Sequence, residues 1–235
     1  LYFQQIKIFS RGIFIMQKYL PVLKRSFLFS DIDDDKLLAM LHCLSVYLSH
    51  YKQGEFLFHS GDEITKIGLV LEGSIQLERE DLNGNRTILD KVVPGQSFGE
   101  ALVCAGIKQI PTAVVARYDC TIMYMDYEKI LQTCSNACSF HTHLIQNMIT
   151  VLAKRNVKLN NKLNFLSKRS TREKLLTYLE TQAIIQKQNP FTITFNRQEL
   201  ADYLCVERSA MCAELSKLQS EGLIKYKKNT FQLQM

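Results

Sequence analysis

No apolar run in the 235 residues approaches the roughly 20 needed to span a bilayer, the longest candidates being broken by Lys, Asp or Gly. The chain also lacks the low hydrophobicity of a disordered segment and the composition of a fibrous one. At 46% hydrophobic and 22% charged residues it reads as an ordinary globular protein, long enough for one large domain or two modest ones. No small-residue cleavage site follows the apolar stretch from Gln5 to Ile15, which carries Lys7 and Arg11, so a secretory leader is not read there. Residues 1–4 look like the remnant of a protease-cleavage tag, and Met16 with the QKYLPVLKRS after it looks like a natural start; residues 1–15 are therefore set aside as tag remnant and upstream extension. A disulfide rhythm is missing too: the seven cysteines (43, 104, 120, 134, 138, 205 and 212) are odd in number and scattered over both halves. Reduced thiols in a cytoplasmic protein are the simpler reading, with free cysteines acting as small buried hydrophobes.

What charge there is lies unevenly. Residues 1–153 hold 14 Lys and Arg against 16 Asp and Glu, a net of −2, whereas residues 154–235 hold 15 against 7, a net of +8. The basic surplus belongs to the C-terminal third and suggests a polyanionic partner for it.

The chain changes texture twice. From Tyr19 to Leu48 apolar residues fall at helical spacings, as at Leu37, Leu38, Leu41 and Leu44, behind the acidic start Asp33, Asp34 and Asp35. From Val46 to Tyr127 short alternating runs are punctuated by glycines 54, 61, 68, 73, 84, 95 and 99, with Asn83-Gly84 a hairpin signal between two of them. Many short strands with regular turns predict a sandwich or closed roll. Beyond it Ile145, Ile149, Leu152, Asn156, Leu159, Leu163 and Leu166 recur at alternating spacings of four and three. That heptad seam, with one polar member at Asn156, predicts a long helix paired with its copy in a second subunit.

The segment FNRQELADYLCVERSAMCAELSKLQSEGLIKYKKNTFQLQ reads as two short helices and a hairpin. Asn196 and Glu199 form a capping box for the first helix, Cys205 sits in the turn, and Gly222 ends the second helix. The preceding helix, TREKLLTYLETQAIIQ, is amphipathic through Leu175, Leu176, Leu179 and Ile184, and a short strand runs from Phe191 to Phe195. In a helix-turn-helix the second helix presents its first turns to the major groove of double-stranded DNA. Here those turns carry Glu207, Arg208, Ser209 and Cys212, with Arg208 able to donate two bonds to guanine. Arg197, Lys217, Lys225, Lys227 and Lys228 fall where phosphates would be met, and Gln198 joins the DNA-binding set.

The order of these features resembles the Crp/Fnr family (cyclic-AMP receptor protein and fumarate-nitrate reductase regulator) over residues 16–235, through KQGEFLFHSGDE, LVLEGSIQL, PGQSFGEA and NRQELADYLCVERSAMCAELSKLQSEGLI. The resemblance implies an α+β chain: a jelly-roll, cyclic-nucleotide-binding-like domain (a double-stranded β-helix) over 16–134, a dimerisation helix over 135–166 and a winged helix-turn-helix over 167–235. It further implies a cytoplasmic, homodimeric transcription regulator that is not an enzyme, contacts RNA polymerase, and senses a small-molecule effector in a pocket at Gly99, Glu100, Ala101, Pro111, Thr112 and Asn156. Two departures bear on the effector. Cyclic-AMP-responsive members place an arginine and a serine about ten residues after the acid at Glu100, where this chain has Ile110-Pro111-Thr112 and only Lys108 nearby. Iron-sulfur members need an N-terminal cysteine cluster, and no cysteine precedes Cys43. Neither cyclic AMP nor an iron-sulfur cluster is expected, and Ala213, where several members carry a base-contacting arginine, keeps operator preference open.

Cys134, Cys138, His141 and His143 lie within ten residues, close enough for zinc. Packing at the start of the long helix is the preferred reading, since 138 and 141 share a face and 143 points away; metal or redox sensing stays open. A cupin-like enzyme is disfavoured, because His141-x-His143 falls beyond the strands with Gln146 and Asn147 where an acid is wanted. A module acting only through protein contacts leaves the basic C-terminal third unexplained.

Overall fold

The structure, a computed structural model, describes residues 11–81, 84, 86–131 and 139–234. In chain order it contains α1 (Arg11–Arg25), a 3-10 turn (Phe27–Phe29), α2 (Asp34–Cys43), β1 (Tyr47–Tyr51), β2 (Phe56–Phe58), β3 (Lys66–Glu72), β4 (Ile75–Glu80), β5 (Arg86–Val92), β6 (Ser97–Phe98), α3 (Glu100–Cys104), β7 (Ala113–Ala116), β8 (Cys120–Asp126) and α4 (Tyr127–Leu131). The long α5 (Ser139–Leu166) follows, then α6 (Thr171–Gln186), β9 (Phe191–Thr192), α7 (Arg197–Leu204), α8 (Arg208–Ser220), β10 (Ile224–Lys227) and β11 (Thr230–Leu233). The first eight strands form two four-stranded sheets, ordered β1-β8-β3-β6 and β2-β7-β4-β5, which make the jelly roll; β10-β11-β9 form a small third sheet.

The central strands of the roll read as continuous apolar runs because both of their faces are covered. In β3, Ile67, Leu69 and Leu71 pack with Leu23, Leu37 and Leu41 of α1 and α2, while Val70 faces the interior between the sheets. In β8, Met123 and Met125 join the helices, and Ile122 and Tyr124 join the interior. Gly68 is on that inner face for a steric reason: a Cβ there would lie 2.2 Å from Cε1 of the fully buried Phe98.

Several expectations move. Helix α1 runs through Met16, whose side chain joins the core, so the boundary drawn between residues 15 and 16 falls inside a helix. Tyr47 and Leu48 belong to β1, paired with Tyr124 and Met123; the helical pattern stops at Ser45, whose φ of +49° ends α2's run. The strand expected from Phe191 to Phe195 covers only Phe191 and Thr192. Ile184, read as part of the buried stripe of α6, is 75% exposed, while Leu175 and Leu179 are buried as expected. Of the cysteines described, only Cys120 is buried; burial pushes its thiol up to about 11, which keeps it protonated and inert. Cys43 and Cys205 are exposed.

The chain divides into two compact units, residues 1–78 with 91–154, and residues 79–90 with 155–235. These limits differ from the 134/135 and 166/167 boundaries of the sequence reading. The core of the second unit gathers Leu175, Leu179, Leu200, Leu204, Met211, Leu215, Leu218 and Phe231, with Ile88 among them. Phe165, Tyr178, Tyr203 and Phe195 make an aromatic cluster whose neighbouring ring centroids are 4.7–6.0 Å apart. Lys162 is buried beside it. Its Nζ donates to the carbonyls of Ile88 (2.7 Å) and Leu89 (3.0 Å) and lies 4.0 Å from the Tyr203 ring centroid. Arg86 donates to Asp202 from Nε and Nη2, and Asp90 pairs with Lys158 and lies 3.9 Å from Arg155.

Burial lowers the Lys162 pKa to about 8, against the opposing fields of Cys205 and Asp90. The folded state therefore holds fewer protons than the unfolded chain between pH 8 and the ordinary lysine value of 10.5. The penalty is complete below pH 8 and is relieved as pH rises through that window. Relative to Lys162→Met, the wild type should gain stability on going from pH 8 to 10.5, by up to about 3 kcal/mol. Denaturant titrations of both proteins across this range check it; a difference independent of pH contradicts it.

Candidate nucleic-acid interface and effector region

The geometry of the helix-turn-helix is set by local chemistry. Asn196 accepts from the Glu199 amide (2.9 Å) while the Glu199 carboxylate accepts from the Asn196 amide (2.8 Å), which fixes the start of α7. Cys205 then takes a left-handed conformation, φ +52°, and turns the chain toward α8. Along α8, Met211, Leu215 and Leu218 are sealed against the core, each no more than 1% exposed. The opposite face carries Arg208, Ser209, Ala213, Ser216 and Lys217, all exposed, with Glu207 at the N-cap; Cys212 is half-buried between the two faces. The second helix of the pair and its apolar and polar faces are thus where the spacing put them.

Beyond Gly222, β10 and β11 pair in register Ile224↔Leu233 to Lys227↔Thr230, forming a wing. Ile224, Phe231 and Leu233 point into the core, and Lys225, Lys227 and Lys228 are exposed. Other members of the expected set are engaged within the protein. Lys217 Nζ pairs with Glu214 (3.1 Å) and Gln198 Nε2 donates to Asp202 (2.7 Å). The Arg197 guanidinium donates from Nη2 to the Lys228 carbonyl (2.5 Å) and lies over the Tyr226 and Phe231 rings. Arg172, absent from the sequence-based set, pairs with Glu221 and with Glu214 and so ties α6 to the far end of α8. Partners 49 residues apart leave no local signal that could have revealed this.

In the roll, Gly99 is the N-cap of α3 with φ +84°, and a Cβ there would approach Ile64 Cδ1 to 2.7 Å. Glu100 follows in the first turn, fully buried; Thr112 is also buried, and Ala101 and Pro111 are exposed. Ile110 packs in the interior with Val70, Phe98 and Val114. Phe58, Phe98 and Tyr124 meet edge to face with centroids 6.2–6.4 Å apart, and Tyr124 shares a hydrogen bond with the Tyr51 hydroxyl (3.1 Å). Burial pushes the Tyr124 phenol far up, so it stays neutral. Asn156, expected both in the pocket and in the helix seam, belongs to the second unit and accepts from Asn160 (2.9 Å).

On α5 the seam residues separate. Ile149, Leu159 and Leu163 are 54–65% exposed in the single chain, Ile145 is half-buried, and Leu152 packs partly on the core of its own unit beside Leu144 and Met148. Cys134, Cys138 and the side chain of His141 lie outside the described residues, and the His143 side chain is exposed. Among the described residues no helix is long and apolar enough to cross a membrane.

Comparison with known proteins agrees with this layout. Residues 48–137 match the cyclic nucleotide-binding domain model, and residues 171–234 match the Crp-like helix-turn-helix domain. The chain is 32% identical over 94 residues to the cAMP-activated global transcriptional regulator CRP of Haemophilus influenzae, a match that spans 40% of each protein. Among solved structures it is similar to the c-di-GMP responsive global regulator CLP of Xanthomonas campestris (TM-score 0.65, 19% identity, 83% of this chain and 97% of that one). It is also similar to a variant of CooA from Carboxydothermus hydrogenoformans (TM-score 0.68, 18% identity, 92% and 91%). With a jelly roll of the cyclic nucleotide-binding type followed by a Crp-like helix-turn-helix, the chain belongs to the Crp/Fnr family.

Proposed function

We propose that this chain is a transcription regulator that binds a palindromic operator as a homodimer, with the jelly roll as the sensor of a small-molecule effector. The observation that carries this reading is the two-faced α8, whose inner side is sealed in the core while Arg208 and Ser209 stand exposed at its start, beside a wing bearing Lys225, Lys227 and Lys228. A helix so presented fits the major groove, and the lysines supply the sequence-independent attraction to phosphates. RNA polymerase as a partner and a cytoplasmic setting go with the family, as does a regulatory rather than catalytic role. Arg208→Ala should cost about 1–3 kcal/mol on the preferred sequence and relax one base position, whereas Lys227→Ala should weaken all sequences alike and lower the salt slope. Titrations on genomically selected and random DNA check this; equal losses on both for Arg208→Ala overturn the assignment of α8.

The homodimer reading rests on the exposed aliphatic residues of α5. Covering each contributes on the order of 1.5–3 kcal/mol, and Asn156 in the same stripe fixes register at some cost in stability. Because Leu152 also serves its own unit, the discriminating change is Leu159→Asp with Leu163→Asp, which should sediment as a folded monomer. An unchanged dimer contradicts the seam.

For the effector, our reading excludes cyclic AMP. The position that needs an arginine holds Ile110, buried in the interior, and a cyclic phosphate desolvated without a bidentate cation is poorly compensated. Loss of that charge-assisted pair is worth roughly one to two orders of magnitude in affinity. The Phe58, Phe98 and Tyr124 cluster favours a less charged ligand or a roll filled by its own side chains. Calorimetric titration should give no heat at millimolar cyclic AMP; micromolar binding that also tightens DNA binding overturns the reading.

A further inference from the structure

The wing ends in a two-residue turn, Lys228-Asn229, closed by the Lys227↔Thr230 pair. Lys228, the first of the two, has φ +53°. Tight hairpin turns that demand positive φ at this place ordinarily use glycine, which has no Cβ to crowd the carbonyl, or asparagine or aspartate, whose short polar side chains hydrogen-bond locally. A lysine in that conformation carries backbone strain, which contacts from outside the turn can offset. Both turn carbonyls are in fact tied down: the Ile193 amide donates to Asn229 O (2.9 Å) and Arg197 Nη2 donates to Lys228 O (2.5 Å).

Arg197 is placed to do this and little else. It occupies the first position of α7, whose start is fixed by the Asn196 and Glu199 capping box. Its guanidinium carbon lies 5.3 Å from the Tyr226 centroid and 5.1 Å from that of Phe231, one ring from each wing strand. Its Nη1 is buried with no hydrogen-bond partner among the described residues. A cation that lies over one ring from each strand while donating to the turn carbonyl braces the hairpin. The ammonium of a lysine lacks the planar fork of a guanidinium.

We propose that Arg197 is a positioning residue for the wing: it holds Lys228 in its left-handed turn and thereby presents Lys227 and Lys228 to the DNA backbone, instead of contacting phosphate itself. The proposal rests on the DNA-binding reading for its consequence, but the brace itself can be tested without DNA.

The test compares full-length wild type with Arg197→Met, Arg197→Lys, Lys228→Gly and the double variant Arg197→Met with Lys228→Gly. The first readout is hydrogen exchange at the amides of residues 224–233. Losing a charge-assisted bond predicts roughly tenfold or faster wing exchange in Arg197→Met and in Arg197→Lys, with α6 protection unchanged. Adding Lys228→Gly, which removes the need for a brace, should return the wing close to its wild-type protection. Unchanged exchange in Arg197→Met, or full protection in Arg197→Lys, overturns the brace whether or not the protein binds DNA. The second readout is affinity and its salt dependence on DNA selected with the wild type. A brace predicts that Arg197→Met weakens binding in the wild-type background but adds almost nothing once Lys227 and Lys228 are both alanine. A phosphate contact predicts instead an additive loss in both backgrounds, a salt slope lower by about 0.9, and rescue by Arg197→Lys.

Discussion

The DNA-facing architecture depends on the burial of one side of a 13-residue helix. Met211, Leu215 and Leu218 can leave water only by packing on Leu200 and Leu204 of α7, Leu175 and Leu179 of α6 and Phe231 of the wing. Each such side chain contributes on the order of 1.5–3 kcal/mol, more than an exposed ion pair gives, so the rotation of α8 about its axis is fixed by its apolar side. The polar side is then exposed by default, and the residues on it are free to be chosen for their partner. The Arg172 pair with Glu221 adds a clamp at the far end, but a solvent-exposed one that is secondary to the core.

Helix α5 obeys a similar division along its 28 residues. Leu144 and Met148 are buried against α1, α2 and the outer face of the β3 and β8 sheet, and Phe165 enters the aromatic cluster of the second unit. Between them Ile149, Leu159 and Leu163 remain uncovered in the single chain. One helix thus supplies core residues to both units and keeps an aliphatic stripe over. Lys162, on the same helix, is buried for a different reason: its charge is carried by two carbonyls of residues 88 and 89 and by an aromatic face.

Periodicity and turn chemistry made much of this legible beforehand. The spacing of Leu200, Leu204, Met211 and Leu215, the Asn196 cap and Gly222 located both helices and the wing to within a residue or two, because those signals are local. A sandwich or closed roll was readable from the glycines and short runs, and its jelly-roll form from the family resemblance, while the double-sided burial of β3 was not, since a continuous apolar run does not say what covers each face. What stayed hidden depends on partners distant in sequence. Arg86 and Asp202 are 116 residues apart, Lys162 and Ile88 are 74 apart, and Arg197 meets Lys228 across 31. Arg197 and Lys217 look alike as cations in a sequence; one donates to a turn carbonyl of the wing and the other pairs along its own helix. Ile184 was assigned to the apolar stripe of α6, yet nine residues at about 100° each put it half a turn around the helix from Leu175, so it is exposed while the neighbouring Ala183 still packs on the core.

In the homodimer we propose, two copies of α8, related by a twofold axis through paired α5 helices, read DNA together. Hydroxyl-radical footprinting of the wild-type protein on DNA selected from its own genome tests this most directly. Two equivalent protected half-sites centred about one helical turn apart, roughly 34 Å, on the same face of the duplex are the predicted result. A single asymmetric patch, or protection spread uniformly along the fragment, would contradict it.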